Sequence, residues 1–282
     1  MLDRRLLLAD GGLALGLGLW RARGLAAEPQ AADFGLAGAL TQGGWARGQA
    51  PQGTRALALG GAAVELAPDG RFFIAFDRDS AAALQLSARL ADGRMLARAI
   101  SVAPRAWQIE RIPIGPKTGA PPSEAYARLR SGELAQINAA RSVGHAIEGW
   151  RQKFIWPVYG RLSGRFGSQR IYNGVPGSYH SGLDIATGVS GTPFVAPADG
   201  VVTLAAESPF SLEGKLLMID HGMGLGSAFR HCSSHAVKTG DVVRQGQYIA
   251  RIGKTGRATG PHLHWSIKWR EARLDPLLFF RN

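Results

Sequence analysis

Short apolar runs closed off by glycine turns fill most of this chain, and that pattern holds it to β structure. In "ALQLSARLADGRMLARAISV", residues 83–102, Asp92-Gly93 separates two runs of alternating apolar and polar residues. Alternation puts every second side chain on one face of a strand. An Asp-Gly pair supplies the positive-φ turn that joins two such strands. The same device recurs upstream in "RALALGGAAVELAPDGRFFIAFDRD", with turns at Gly60-Gly61 and Asp69-Gly70. Glycine is abundant, 38 of 282 residues, which leans the same way because glycine adopts positive φ without strain. From Gly38 to about Ile114 the pattern predicts a small antiparallel β-sandwich, immunoglobulin-like in outline. It holds no histidine and offers no chemistry, so its expected role is spacing, docking or covering.

Proline and glycine break the strand pattern up to Pro122. Ser123 can then cap a helix over "EAYARLRSGELAQINAAR", whose apolar residues recur at helical spacing. From Trp150 onward strands return in "FIWPVYGRLSGRFG", "TPFVAPADGVVTLAAE", "KLLMIDHG", "GSAFRHC", "DVVRQGQYIARIG" and "HLHWSIKW". The expected fold class is mainly β. Its divisions are an export segment over 1–27, a linker over 28–37, the sandwich over 38–115, a linker with a helix over 116–149, and an all-β domain over 150–282.

The formal net charge of +12 favours anionic surroundings such as a cell-wall polymer, a lipid surface or nucleic acid. No basic run is interleaved with aromatics as in a single-strand binder, so nucleic acid is not expected as a partner. The single cysteine, Cys232, excludes an intrachain disulfide and a four-cysteine zinc site. Arg4-Arg5, a glycine-rich apolar stretch from Leu6 to Trp20 and small residues near Ala26 read as a secretory signal, twin-arginine in style. An uncleaved anchor is the alternative, and then the membrane is met only through this segment. Asp10 interrupts the stretch, which is short of the roughly 20 apolar residues a bilayer-spanning helix needs. Either way the bulk of the protein is expected outside the cytoplasm.

Six of the seven histidines fall between His180 and His264. Neutral imidazole is the commonest protein metal ligand, so this density points to a metal. In "HSGLDIA", His180 and Asp184 are four apart, on a loop entering a strand. In "HLHW", His262 and His264 share one face of a strand while Leu263 faces a core. His180, Asp184 and one histidine of the pair make two nitrogens and a carboxylate, a complement suited to catalytic zinc with a fourth position open. There is no H-E-x-x-H, so base and oxyanion work would fall to the histidines that are not ligands, with His262 and His231 available. His145, His221 and His235 are expected to be a solvated residue on the helix, a turn residue that shapes the groove at most, and an exposed loop residue.

"HSGLDIA", "APADGVV", "IDHGMGL", Phe229-Arg230-His231 and "GRATGPHLHW" resemble, in order and spacing, the lysostaphin-like (LytM-type) zinc endopeptidases of peptidoglycan. The resemblance covers about residues 154 to 279. It implies the duplicated hybrid motif fold, one Zn2+ held at His180, Asp184 and His264, and catalytic roles for His231 and His262. It implies an enzyme acting on peptidoglycan stem peptides, and the twin-arginine-like export segment places that enzyme in the periplasm or envelope, a context that favours diaminopimelate-type cross-links over glycine bridges. Other cell-division or wall-hydrolase proteins are its expected protein partners. Two positions depart from the family. Phe229 stands where many members have tyrosine, which removes a hydroxyl, and Cys232 stands where they have leucine. The opposing expectation is a non-catalytic relative that binds and activates another wall hydrolase. Such a chain would have lost a residue among His180, Asp184, His262 and His264, and all four are present.

Overall fold

The computed structural model describes residues 30–113 and 123–280, so the export segment expected over 1–27 lies outside the described residues. No helix of the described residues is long and apolar enough to cross a membrane. The chain is mainly β, with one α-helix over Glu124–Ser142.

Two sheets form before the helix. The larger runs in the order Gln30–Ala31, Met95–Ser101, Ala83–Leu90, Thr54–Leu59, Ala62–Val64, and the smaller runs Ala37–Gly38, Trp45–Gln49, Arg71–Ala75. Residues 30–31 and 37, expected as linker, are thus strand. Gln30–Ala31 gains backbone partners by lying parallel to Met95–Ser101, which outweighs the lack of any strand signal in two residues. Gly60 and Gly61 both take positive φ, 56° and 85°, as a tight two-residue hairpin requires. The Asp92-Gly93 hairpin forms as expected, with Ala83–Leu90 antiparallel to Met95–Ser101. Asp69-Gly70 is a turn but joins no hairpin. It hands the chain from one sheet to the other, where Arg71–Ala75 pairs with Trp45–Gln49.

The second half is built on a ten-stranded sheet. Its main path runs Arg161–Gly164, Leu183–Ala186, Leu263–Trp269, Leu225–His235, Lys215–Asp220, Gly200–Ala205, Val242–Val243. The strand expected from Phe154 begins only at Arg161, because Pro157 has no N–H to give to a ladder. The long Leu225–His235 strand pairs with Leu263–Trp269 through its first half and with Tyr248–Ile252 through its last residues.

Both halves share one apolar core. Trp45 stacks on Phe73 at 5.7 Å between ring centroids and lies 5.1 Å from Phe279, while Phe73 lies 6.3 Å from Trp269. Polar contacts cross the same seam. Asp275 accepts an ion pair from Arg105 at 2.7 Å, and its backbone N–H donates to the Gly43 carbonyl at 2.8 Å. The strand Ile109–Ile112 pairs in parallel with Gln169–Tyr172, so the stretch before the helix extends the second half's structure.

The helix begins where expected. The Ser123 hydroxyl accepts from the Tyr126 N–H at 3.2 Å and satisfies one of the four free donors of the first turn. Ile137 and Ala140 pack on Phe210, Leu216, Met218 and Ala228 as a second, smaller core. Arg130 holds Glu213 through two hydrogen bonds of 2.6 and 2.9 Å, and Glu133 accepts from the N–H and hydroxyl of Ser211. The helix therefore rests on the face of the sheet opposite to the main core.

Candidate metal centre

Strand alternation builds the site. In Leu263–Trp269, Leu263, Trp265 and Ile267 point into the main core, which leaves His264, Ser266 and Lys268 on the other face. Asp184 is the direct partner of His264 across one neighbouring strand, and Arg230 is its partner across the other. His180 arrives from the loop before Leu183. Three donor atoms meet there. His180 Nε2 and His264 Nδ1 lie 3.1 and 2.8 Å from Asp184 Oδ1, and the two nitrogens lie 3.2 Å apart.

These three residues are a set that could hold a metal ion. Donor atoms bonded tetrahedrally to zinc at roughly 2.0–2.1 Å stand about 3.3 Å from one another, so the triangle is only slightly contracted from that geometry. His180 Nδ1 donates to the Arg165 carbonyl at 3.2 Å, which leaves the Nε2 lone pair facing Asp184. Two glycines make the cradle. A Cβ at Gly164 would lie 2.4 Å from Asp184 Oδ2, and one at Gly182 would lie 2.8 Å from His264 Nε2. The donor set and the cradle fit a metal ion.

The charges agree. Burial opposes the Asp184 carboxylate, but hydrogen bonds from His180 and His264 outweigh it and hold the group well below the usual carboxylate range. Burial pushes His264 down to about 4. For His180 burial works downward, yet the Asp184 carboxylate prevails and raises it. Metal binding at His180 must compete with protons, since a ligand histidine must be neutral.

Two more histidines close around the triangle. The His231 and His262 rings lie 4.9 Å apart, and His262 Nε2 is 3.9 Å from Asp184 Oδ1. Each has its Nδ1 on a backbone carbonyl, His231 on Thr255 at 2.8 Å and His262 on Gly260 at 2.8 Å. A carbonyl only accepts, so Nδ1 carries a proton, and in the neutral ring Nε2 is the nitrogen with the lone pair. Burial pushes His231 below the ordinary histidine value, so it is neutral near pH 7.

His231 reaches this face through an irregularity. Strict alternation after Phe229 would turn His231 into the core and Cys232 out of it. Instead Arg230 and His231 together oppose Leu216, and His231 takes φ 63°. The bulge sends His231 outward and returns Cys232 to the core, where burial raises its thiol to about 12. Phe229 is fully buried beside Phe194 and Trp265, so a hydroxyl at that position would not reach the metal triangle.

All five residues expected at the site, His180, Asp184, His231, His262 and His264, come together. The other three histidines sit differently from expectation. His145 lies beyond the helix and pairs with Asp220 at 2.9 Å. His221 is fully buried, with Nδ1 on the Asp199 carbonyl and Nε2 on the Ser227 hydroxyl, both at 2.8 Å. His235 is half-buried at the end of its strand. Each owes its place to partners far away in sequence, which a local pattern does not carry.

One supporting residue gave no sequence signal. Arg78, from the first half, is buried and donates through Nε and Nη2 to the Gly167 carbonyl at 3.2 and 3.1 Å. The Gly167 N–H donates to the His180 carbonyl at 2.9 Å, and the His180 N–H to the Ser168 carbonyl at 2.8 Å. The guanidinium also lies 4.6 Å from the Tyr179 ring. Arg78 thus fixes the loop that presents the first donor. Arg78→Met is expected to weaken metal binding by roughly 10-fold or more, as loss of an outer support does. Competition with a chromophoric chelator measures it, and unchanged affinity would contradict the assignment.

Residues 178–276 match the model of Peptidase family M23. An uncharacterized metalloprotease of Haemophilus influenzae is 38% identical over 98 residues, 35% of this chain and 20% of that protein. A peptidoglycan DD-endopeptidase of Vibrio cholerae is 37% identical over 98 residues, 35% of this chain and 22% of that protein. The matched segment therefore spans about a fifth of the length of these curated relatives. The crystal structure of a candidate M23 peptidase from Pseudomonas aeruginosa aligns with 85% of this chain and 94% of its own, at 28% identity and a TM-score of 0.61.

Proposed function

We propose that this chain, whose residues 178–276 form a Peptidase family M23 domain, is an exported zinc endopeptidase that hydrolyses peptide cross-links of peptidoglycan in the bacterial envelope. The observation that carries this reading is the conjunction of a three-donor triangle with two neighbouring histidines whose Nδ1 atoms are held by backbone carbonyls. Zinc bound by His180, Asp184 and His264 would polarise a carbonyl and acidify water. The remaining work belongs to side chains. The Nε2 lone pair of His231 or His262 takes the proton of the attacking water. The imidazolium so formed donates a hydrogen bond to the oxygen that gathers charge, then passes the proton to the leaving amine. Water's hydroxyl ends on the carbonyl carbon and its proton on the amine, as amide hydrolysis requires. The Thr255 and Gly260 carbonyls hold both rings in the tautomer this needs.

The cell-wall substrate is supported by the relative from Vibrio cholerae that is named a peptidoglycan DD-endopeptidase. The basic charge suits an anionic wall. The test is digestion of purified sacculi by the full chain, with muropeptides read by mass spectrometry. New amino and carboxyl ends should appear within the stem cross-links. A chelator should abolish them and stoichiometric Zn2+ should restore them. Release that persists after complete removal of metal would refute the metallopeptidase reading.

A further inference from the structure

Arg230 stands in the same row as the candidate metal donors, since Asp184, His264 and Arg230 are successive partners across three neighbouring strands. Directly opposed side chains on one sheet face have Cβ atoms about 4.5–5.5 Å apart, so its stem runs beside His264. A guanidinium stays charged and presents five donors. Here its Nε is sealed from solvent and has no hydrogen-bond partner among the described residues.

The surroundings do not neutralise it. Glu213 is the carboxylate whose field favours its charge, while Arg130, Arg141 and Arg273 oppose it. Both Glu213 oxygens are already engaged by Arg130, at 2.6 and 2.9 Å. Burial pushes the Arg230 guanidinium below its usual range, which marks the same deficit. A largely desolvated cation without a partner is costly, and such costs concentrate where a ligand completes the pair.

The same sheet face carries more positive charge beyond Arg230. One row further along the strands is Ala228 opposite Ser266, and the next is Gly226 opposite Lys268. Beside these rows, between the end of the helix and the sheet, lies a partly open pocket of about 130 Å³, lined by Arg141, Ser266 and Lys268 among others. A substrate seated at the donor triangle therefore meets this guanidinium at the next position of the same row.

We infer that Arg230 is a specificity residue that binds a free carboxylate of the substrate peptide beside the scissile bond. The inference rests on the peptidase reading for the identity of the ligand as a peptide. The carboxylate has two possible sources, a chain-terminal one or one carried on a side chain, and guanidinium chemistry takes either as a bidentate partner.

The experiment separates them. A fluorescent cross-linked pair of peptidoglycan stem peptides with all carboxylates free, its C-terminal amide, and its side-chain amide are titrated against the full chain. Anisotropy gives the affinity, and mass spectrometry gives cleavage on the same samples. One of the two amides should bind about 10- to 100-fold more weakly than the free acid, the range of a charge-assisted hydrogen bond. Its identity names the source. In Arg230→Gln the ratio should fall to within about 3-fold of unity, and Arg230→Lys should restore part of it, because charge returns without the fork. Circular dichroism of both variants shows whether they fold, and the lysine form keeps the test alive if the glutamine form does not. Equal binding of acid and amides by the wild type, no binding of any, or unchanged discrimination in Arg230→Gln overturns the inference. Discrimination that depends on Arg230 while no peptide is cut would leave the inference standing and refute the peptidase reading.

Discussion

His264→Ala should yield a folded protein that carries no stoichiometric metal and releases muropeptides more than about 10³-fold more slowly, because water loses its acidification from about 15.7 to 7. His264 supplies one corner of the donor triangle, and its Nδ1 makes the shortest contact with Asp184, at 2.8 Å. Two donors remain after the substitution, one fewer than the three that catalytic zinc sites use. Metal content by plasma emission spectrometry and muropeptide release by chromatography read the two effects separately. His262→Ala is the control. Its Nε2 lies 3.9 Å from Asp184 Oδ1, and its other nitrogen is held by Gly260, so this variant should keep its metal. Loss of metal from His262→Ala with retention in His264→Ala would exchange the roles of the two residues.

His231→Ala should separate metal binding from turnover. Zinc content should stay at one per chain while kcat falls by roughly 10²- to 10⁴-fold, the usual worth of a positioned acid or base. The pH profile carries a second signature. Burial lowers the His231 pKa, so the neutral, proton-accepting form persists below the ordinary histidine midpoint near about 6.5. The acid limb of activity should therefore lie below that ordinary midpoint, as the lone pair on Nε2 is lost. A cation in the neighbouring triangle shifts the midpoint in the same direction. An acid limb centred above 7, or loss of zinc in His231→Ala, would remove His231 from this role.

The legible and illegible parts of this molecule divide by range of interaction. His262 and His264 could be placed on one face because the period of a strand is local. Ser123 and the apolar spacing after it announced the helix for the same reason. His231 could not be oriented that way. Its direction depends on a bulge, and a two-residue period read without that bulge points His231 at the core and exposes Cys232. The resemblance of "FRHC" to a known motif supplied its role, whereas spacing alone did not. Asp69-Gly70 announced a turn correctly, yet nothing nearby says that the next strand joins the other sheet. Phe229 is a related case. The missing hydroxyl looked like a change in the site, but the ring belongs to the core.

Arg78 and Arg230 gave no signal because each is defined by what lies across the fold. Arg78 matters through Gly167, 89 positions later in the chain. Arg230 matters through partners it lacks, and a sequence does not display a vacancy in hydrogen bonding.

The contact from Arg78 through Gly167 to His180, together with the Trp45–Phe279 seam, makes the boundary of the recognised family segment different from the boundary of mechanical integrity. The segment begins at 178, two positions before the first donor, while Gly164, Arg165 and Gly167, which shape that donor's setting, all precede it. Excising the segment would keep His180, Asp184, His231, His262 and His264 and discard the contacts from Arg78 and Arg165 that hold the His180 loop. Affinity for metal and resistance to unfolding are then thermodynamically linked across both halves of the described residues, since an ion that binds only the native form stabilises it more as its concentration exceeds its dissociation constant. The sheets ahead of the helix act as ballast for the chemistry.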